Sequence, residues 1–140
     1  MRHVNSDGVA YGLGRRKTSQ ARVNVWRNEE GKGKMTVNGQ GAGKYFLAIK
    51  ELGVHELLLP FDIIGEPFYN FDVRASVKGG GLTGQTGAVR LGISRALIKL
   101  DPEWQPKLRK AGLLTRDPRM KERKKPGQAG ARKKFAWVKR

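Results

Sequence analysis

The C-terminal quarter of this chain has too little to bury to fold by itself. Residues 107–140 carry 14 Lys and Arg against two acids, Asp117 and Glu122, a net +12 in 34 residues. Between Thr115 and Pro126 the one sizeable apolar side chain is Met120, so no core can be built there. Like charge at this density repels itself, and such a segment orders when a polyanion neutralises it. Residues 1–106 hold 15 Lys and Arg and 10 acids, a net of only +5. The total of +17 over 140 residues therefore divides the chain into an N-terminal extension (1–10), a nearly balanced globular body (11–114) and a basic tail (115–140). Charge of this sign and size points to a polyanion, either nucleic acid or an anionic membrane surface. A tail that merely aids solubility is the alternative.

Several classes drop out at once. There is no cysteine, hence no disulfide framework, no thiolate chemistry and no Cys-based zinc site. The two histidines, His3 and His55, stand alone, and no metal or other cofactor is expected. No apolar run approaches the roughly 18–20 residues of a membrane span. The opening MRHVNSDGVA lacks the apolar centre of a signal peptide and has too few arginines for an amphipathic transit peptide. Either the protein is made where it works or a presequence has been removed.

In the body, Ala21, Val23 and Val25 alternate with Arg22, Asn24 and Trp26, the period of a half-buried strand. A polar turn at Asn28–Gly33 follows, and the alternation resumes at Met35 and Val37, so the two runs are expected to pair as an antiparallel hairpin. Lys44 to Leu59 suits one or two short helices weakened by Gly53, with a loop from Asp62 to Pro67. Tyr69 to Val77 is the clearest strand, placing Phe71, Val73, Ala75 and Val77 on one face. A helix is expected from about Thr83 to Leu100, with Val89, Ile93, Ala96, Leu97 and Leu100 in one stripe and Leu91 and Ile98 in a second, hence packed on two sides. Asp101-Pro102 has the form of a helix start and Gly112 that of a stop, bracketing a short basic helix at Lys107–Ala111. The class is α+β.

The most informative run is Ser76-Val77-Lys78-Gly79-Gly80-Gly81-Leu82-Thr83-Gly84-Gln85, a strand leading through glycines into a helix N-terminus. Unpaired N–H groups and the helix dipole favour an anion there, and Lys78 adds a full charge. A nucleotide enzyme is the sharper alternative, but the Walker Lys-Ser/Thr pair and the dinucleotide-binding glycine spacing are both absent. The carboxylates that would hold magnesium are scattered singly or lie in turns. Arg90 and Arg95 on the same helix favour a nucleic-acid backbone. Three cations at Arg15, Arg16 and Lys17 precede the strand that carries Arg22, where Trp26 is expected to cover the sheet, stacking on a base being the alternative.

The run Gly79–Ala88 continuing VRLGISRAL, the opening GLGRRKTSQARV, the Val37-Asn38-Gly39 turn and the stretch LRKAGLLTRDPRMKERKK together resemble the small-subunit ribosomal protein S9 family. The resemblance runs from Gly12 to Arg140. It implies an α+β body like the second domain of ribosomal protein S5, with about four strands in a mixed sheet, helices on one side, a left-handed β-α-β crossover and a long extended basic tail. Physics alone would favour a right-handed crossover. It also implies a non-catalytic constituent of the small-subunit head that binds small-subunit rRNA beside neighbouring head proteins. The tail would thread toward the anticodon stem-loop of the peptidyl-site tRNA, which Lys139 and Arg140 would meet. Neither a membrane nor a homo-oligomer is implied. The Lys-Lys-Pro-Gly step at 124–127 and the ending with Phe135 and Trp137 look most like mitochondrial members, with a bacterial or plastid ribosome as the alternative.

On this reading the rRNA contacts expected in the body are Arg15, Arg16, Lys17, Arg22, Lys78, Gly79, Gly80, Gly81, Gln85, Arg90 and Arg95. Those expected in the tail are Arg116, Arg119, Lys121, Arg123, Lys124, Lys125, Arg132, Lys133 and Lys134. Arginine forks suit phosphate better than lysine. A free-standing nucleic-acid-binding module and a phosphate-loop enzyme remain the rival classes.

Overall fold

The computed structural model describes residues 4–139, apart from the side chains of residues 50–52. His3 and Arg140 lie outside the described residues. Strands β1 (Ala10–Arg16), β2 (Ser19–Arg27), β3 (Met35–Val37), β4 (Gln40–Gly41) and β5 (Phe71–Lys78) form one mixed five-stranded sheet in the order β1-β2-β5-β3-β4. The helices are α1 (Ala42–Tyr45), α2 (Lys50–Ile64), α3 (Leu82–Leu100) and α4 (Gln105–Lys110). The fold is α+β and consistent with that of the second domain of ribosomal protein S5. It has one more strand than the expected four, because a two-residue strand, β4, pairs with β3 at the edge.

Two expectations need correction. The cations at 15–17 do not all precede the first strand: Arg15 and Arg16 end β1, which pairs antiparallel with β2 from Ala10↔Val25 to Arg16↔Ser19. Strand β1 is hard to read because its inward positions are Ala10, Gly12 and Gly14, too small to register as apolar alternation. Consequently the hairpin is β1–β2, turned at Lys17 and Thr18, and not β2–β3. Strand β2 has β1 on one edge and β5 on the other, so β3 lies beyond β5 and runs parallel to it. The turn at Asn28–Gly33 makes that crossing. It is tied down by Asn28 N–H to the Asn70 carbonyl (2.7 Å), Gly33 N–H to that of Tyr69 (2.9 Å) and Lys34 N–H to Asp72 Oδ1 (2.8 Å).

The parallel β3 and β5 require a helical connection, supplied by α1 and α2. Helix α2 continues through Pro60 to Ile64, where a loop from Asp62 was expected. Proline withholds one N–H, but buried Leu57, Phe61 and Ile64 bind the helix to the core on both sides of it. It ends at Gly65, φ 79°, whose N–H reaches the Phe61 and Asp62 carbonyls. Helix α3 matches its expected span to within a residue and packs, as its two apolar stripes required, against both α2 and the strands β1 and β2. Thr86 and Ser94 are buried in it, and each donates its hydroxyl to the carbonyl four residues back (Leu82 and Arg90, 2.9 and 3.0 Å), so no polar side chain there is left unpaired. Asp101 accepts from Glu103 N–H at 3.0 Å ahead of α4. Leu108 and Leu113 are the last residues of the core.

The contact between β1 and α3 is made backbone to backbone. A β-carbon on Gly12 would lie within 3.0 Å of the Gly92 carbonyl oxygen, and one on Gly14 within 3.0 Å of that of Ala88. Gly92 in turn is covered by the Val23 side chain. Gly14→Ala should force the strand off the helix and destabilise by roughly 1–3 kcal/mol, the cost of overpacking a close-packed core. Gly41→Ala, which meets nothing within 4 Å, should stay within about 0.5 kcal/mol of wild type. Urea midpoints of the two variants, with equal slopes, check this pair.

Candidate nucleic-acid interface

The glycine loop after β5 is shaped from behind. Gly79 and Gly80 have φ of 77° and 64°, a region in which side chains are strained. They also lie close against Thr18 and Ser19 of the β1–β2 turn. The Gly79 carbonyl accepts from Ser19 Oγ (2.9 Å) and from Gln85 Nε2 (3.1 Å). Gln85 Oε1 accepts from Tyr45 Oη at 2.9 Å, and Tyr45 Oη accepts from Asn38 Nδ2 at 3.3 Å. Asn38 also exchanges two side-chain hydrogen bonds with Val77, 2.8 and 3.0 Å, which explains the Val37-Asn38-Gly39 turn as a strap that ties the sheet edge to the loop. The loop itself is exposed from Lys78 to Gly81. No side chain caps the first turn of α3, so N–H groups there face outward.

The sequence-predicted cations separate into two sets. Arg15, Arg22 and Lys78 are exposed on the sheet face away from the helices, and none of them makes an ion pair or side-chain hydrogen bond among the described residues. Lys17, in the β1–β2 turn with φ 52°, is likewise exposed and without an ion pair or side-chain hydrogen bond among the described residues. The remaining body side chains expected to contact rRNA are already engaged. Arg90 pairs with Glu56 of α2. Arg95 Nη1 donates to the Leu13 carbonyl at 2.8 Å, fastening α3 to β1. Gln85 is buried, with both ends of its amide used inside the fold. Each of these three ties parts of the fold together. Arg16, on the helix side of β1, runs alongside Gly87 of α3 and stands 3.9 Å from Asp117.

Beyond α4 no helix or strand forms among residues 113–139. The two acids organise what contacts there are. Asp117 accepts from Arg119 through its backbone N–H (3.0 Å) and its guanidinium (2.7–3.1 Å), and a hollow lies there between Arg16, Lys17, Asp117, Arg119, Met120 and Lys121. The Arg119 side chain, then its backbone N–H, hold the Asp117 carboxyl well below the usual carboxylate range. Glu122 is likewise lowered, chiefly by Lys125 and then by Arg132. Arg123 donates to the Lys124 carbonyl at 3.2 Å. Arg116, Lys121, Lys124, Lys133, Lys134 and Lys139 are exposed.

The sequence profile of ribosomal protein S9/S16 matches residues 14–140. The chain belongs to the ribosomal protein S9 family. It is also 48% identical, over all 140 of its residues, to a protein of Arabidopsis thaliana named small ribosomal subunit protein uS9m, of whose length it covers 31%. Within the S9 family signature, then, the glycines have two separate uses: those of the loop open a backbone, and those inside α3 let β1 approach. Sequence reasoning missed Arg74 and Tyr11, which share the open sheet face with Arg22 and Trp26. The alternation of Tyr69–Val77 put Arg74 on the same side as Lys78, but only the strand order brings it beside Trp26.

The Asp117 clasp has a defined pH dependence. Its folded-state pKa is below the unfolded value, so the clasp is in force at neutral pH and is lost as pH falls through the depressed value. In a carbon-detected NMR titration Asp117 should titrate well below the usual carboxylate range, with the Arg119 amide resonance moving in step. A midpoint within that range would show that the clasp does not form in solution.

Proposed function

We propose that this chain is a non-enzymatic, structural constituent of the small ribosomal subunit whose body binds small-subunit rRNA. Its membership of the ribosomal protein S9 family carries the reading. The name of its Arabidopsis relative supports the small subunit, and with the Lys-Lys-Pro-Gly and Trp-x-Lys-Arg features of the tail it supports the mitochondrial ribosome. Among the described residues no helix is long and apolar enough to cross a membrane, and the cations without protein partners are best matched to RNA phosphate. In this reading the backbone around Gly79–Gly81 with Lys78 and Lys17 takes phosphate at one end of the sheet. Arg15 and Arg22 take it on the open face. The division into a body to residue 114 and a tail from 115 assigns the two parts different work. The tail cations from Arg116 to Lys125, and Arg132, Lys133 and Lys134, neutralise packed rRNA phosphates. Lys139 and Arg140 meet the anticodon stem-loop of the peptidyl-site tRNA, and the protein is present as a single copy beside other head proteins.

Two truncations separate these roles. Removing everything after Leu114 should sharply reduce co-sedimentation with small subunits. Normal incorporation would overturn the docking role of the tail. Removing only Lys139 and Arg140 should leave assembly intact and weaken peptidyl-site tRNA retention by roughly fivefold, the scale of one partly screened charge contact near 1 kcal/mol. Unchanged tRNA retention and unchanged reading-frame maintenance would remove the tip from the mechanism.

A further inference from the structure

Among the described residues no element covers the sheet face turned away from the helices, and its composition is specific. The register sets three rows across it. Tyr11, Asn24, Arg74 and Thr36 form one row; Leu13, Arg22 and Ser76 the next; Arg15, Gln20 and Lys78 the third. Each row contributes at least one cation, and rows two residues apart along a strand are spaced by roughly 6.8 Å. That is a repeat at which successive phosphates of an extended strand can be met. Arg74 lies over the Trp26 ring at 5.8 Å, and Lys99 Nζ over the Tyr11 ring at 5.6 Å, so both aromatics on the face are held by a cation and half-exposed or exposed.

Beyond these three rows a fourth, without a cation, pairs Trp26 with the carboxylate of Asp72. Its oxygens already accept from Asn28 Nδ2 (3.1 and 3.2 Å) and Lys34 N–H (2.8 Å). Among the described residues it makes no ion pair with the face's arginines. Glu29 and Glu30 of the neighbouring turn are matched by Lys32 and Lys34 around the same hollow beside Trp26. Arg15, Arg22 and Lys78 are left without protein partners among the described residues. An uncovered sheet with one unpaired cation after another and two flat aromatics is complementary to a polyanion that also offers flat rings.

We propose that this face docks a run of unpaired RNA nucleotides. Bases stack on Trp26 and Tyr11, and Arg22, Arg15 and Lys78 take successive phosphates. The inference rests on the rRNA-binding reading above and adds to it the stacking role of the two aromatics and the single-stranded class of RNA that the open face accepts. Stacking is the term that separates unpaired nucleotides from duplex, because a duplex keeps its ring faces to itself.

The test uses the full-length chain and a short oligouridylate carrying 5-bromouridine, irradiated and mapped by mass spectrometry, beside a blunt RNA duplex of equal length. Crosslinks at Trp26 or Tyr11 with the single strand and not with the duplex are expected. Trp26→Ala should weaken binding of the single strand roughly fivefold or more, and Trp26→Phe should restore most of it. If RNA binds but crosslinks are confined to the tail and Trp26→Ala changes nothing, this inference falls while the rRNA-binding reading stands. Failure of the whole chain to bind either RNA would overturn that reading itself. Equal crosslinking of the sheet by the duplex would exclude unpaired nucleotides as the occupant. Suppression of crosslinking by an acidic polypeptide added before irradiation at equal charge, more readily than by unlabelled RNA, would reassign the face to an acidic protein.

Discussion

The approach of β1 to α3 without intervening side chains is the constraint on which the rest of the body depends. Gly12 and Gly14 face Gly92 and Ala88, so a strand with almost no apolar side chain is held in the sheet by contact with a helix backbone. Close packing rewards such contact through many small dispersion terms and penalises any added carbon. Because β1 is held there, its last residues and the turn at Lys17 and Thr18 arrive at the N-terminus of α3. Ser19 then braces the Gly79 carbonyl. The shape of the glycine loop is thus a consequence of the packing between β1 and α3.

The same contact divides the cations. Arg95 and Arg90 lie on a helix buried on nearly every side, and both are engaged, one with the Leu13 carbonyl and one with Glu56. Arg15 and Arg22 alternate outward from strands whose inward positions are filled, and they are left for an external partner. A basic residue in a signature run therefore carries no single meaning. In α3 it fastens elements together; on β1 and β2 it is a free donor.

The legibility of the sequence followed side-chain size. Strand β2, strand β5 and helix α3 could be read because Val, Phe, Ile and Leu repeat at periods of 2 and 3.6. Strand β1 could not, since its inward residues are alanine and glycines. The β2–β3 hairpin was misjudged because sequence adjacency favours pairing, whereas here β5 inserts between the two strands. The extension of α2 past Pro60 was hidden by a residue that usually ends a helix, and burial of Phe61 and Ile64 overrode it. Gln85 was read as a ligand group from its place beside the glycines; its burial against Tyr45 and Gly79 assigns it to the frame.

By itself the sequence determined that about +12 of the charge sits in the last 34 residues, which from Thr115 onward have no means of forming a core, that the body is α+β, and that a glycine loop precedes a long helix. Those follow from composition and local periodicity, which need no neighbours. Only the tertiary structure decided which strands are adjacent, which cations are already engaged, and that Trp26, Arg74 and Tyr11 share one open face with Arg22. The reason is physical: pairing and face-sharing are set by long-range contacts between residues distant in the chain, such as Val77 and Asn38, Ser19 and Gly79, or Leu13 and Arg95, which are 82 residues apart. No local pattern encodes those contacts.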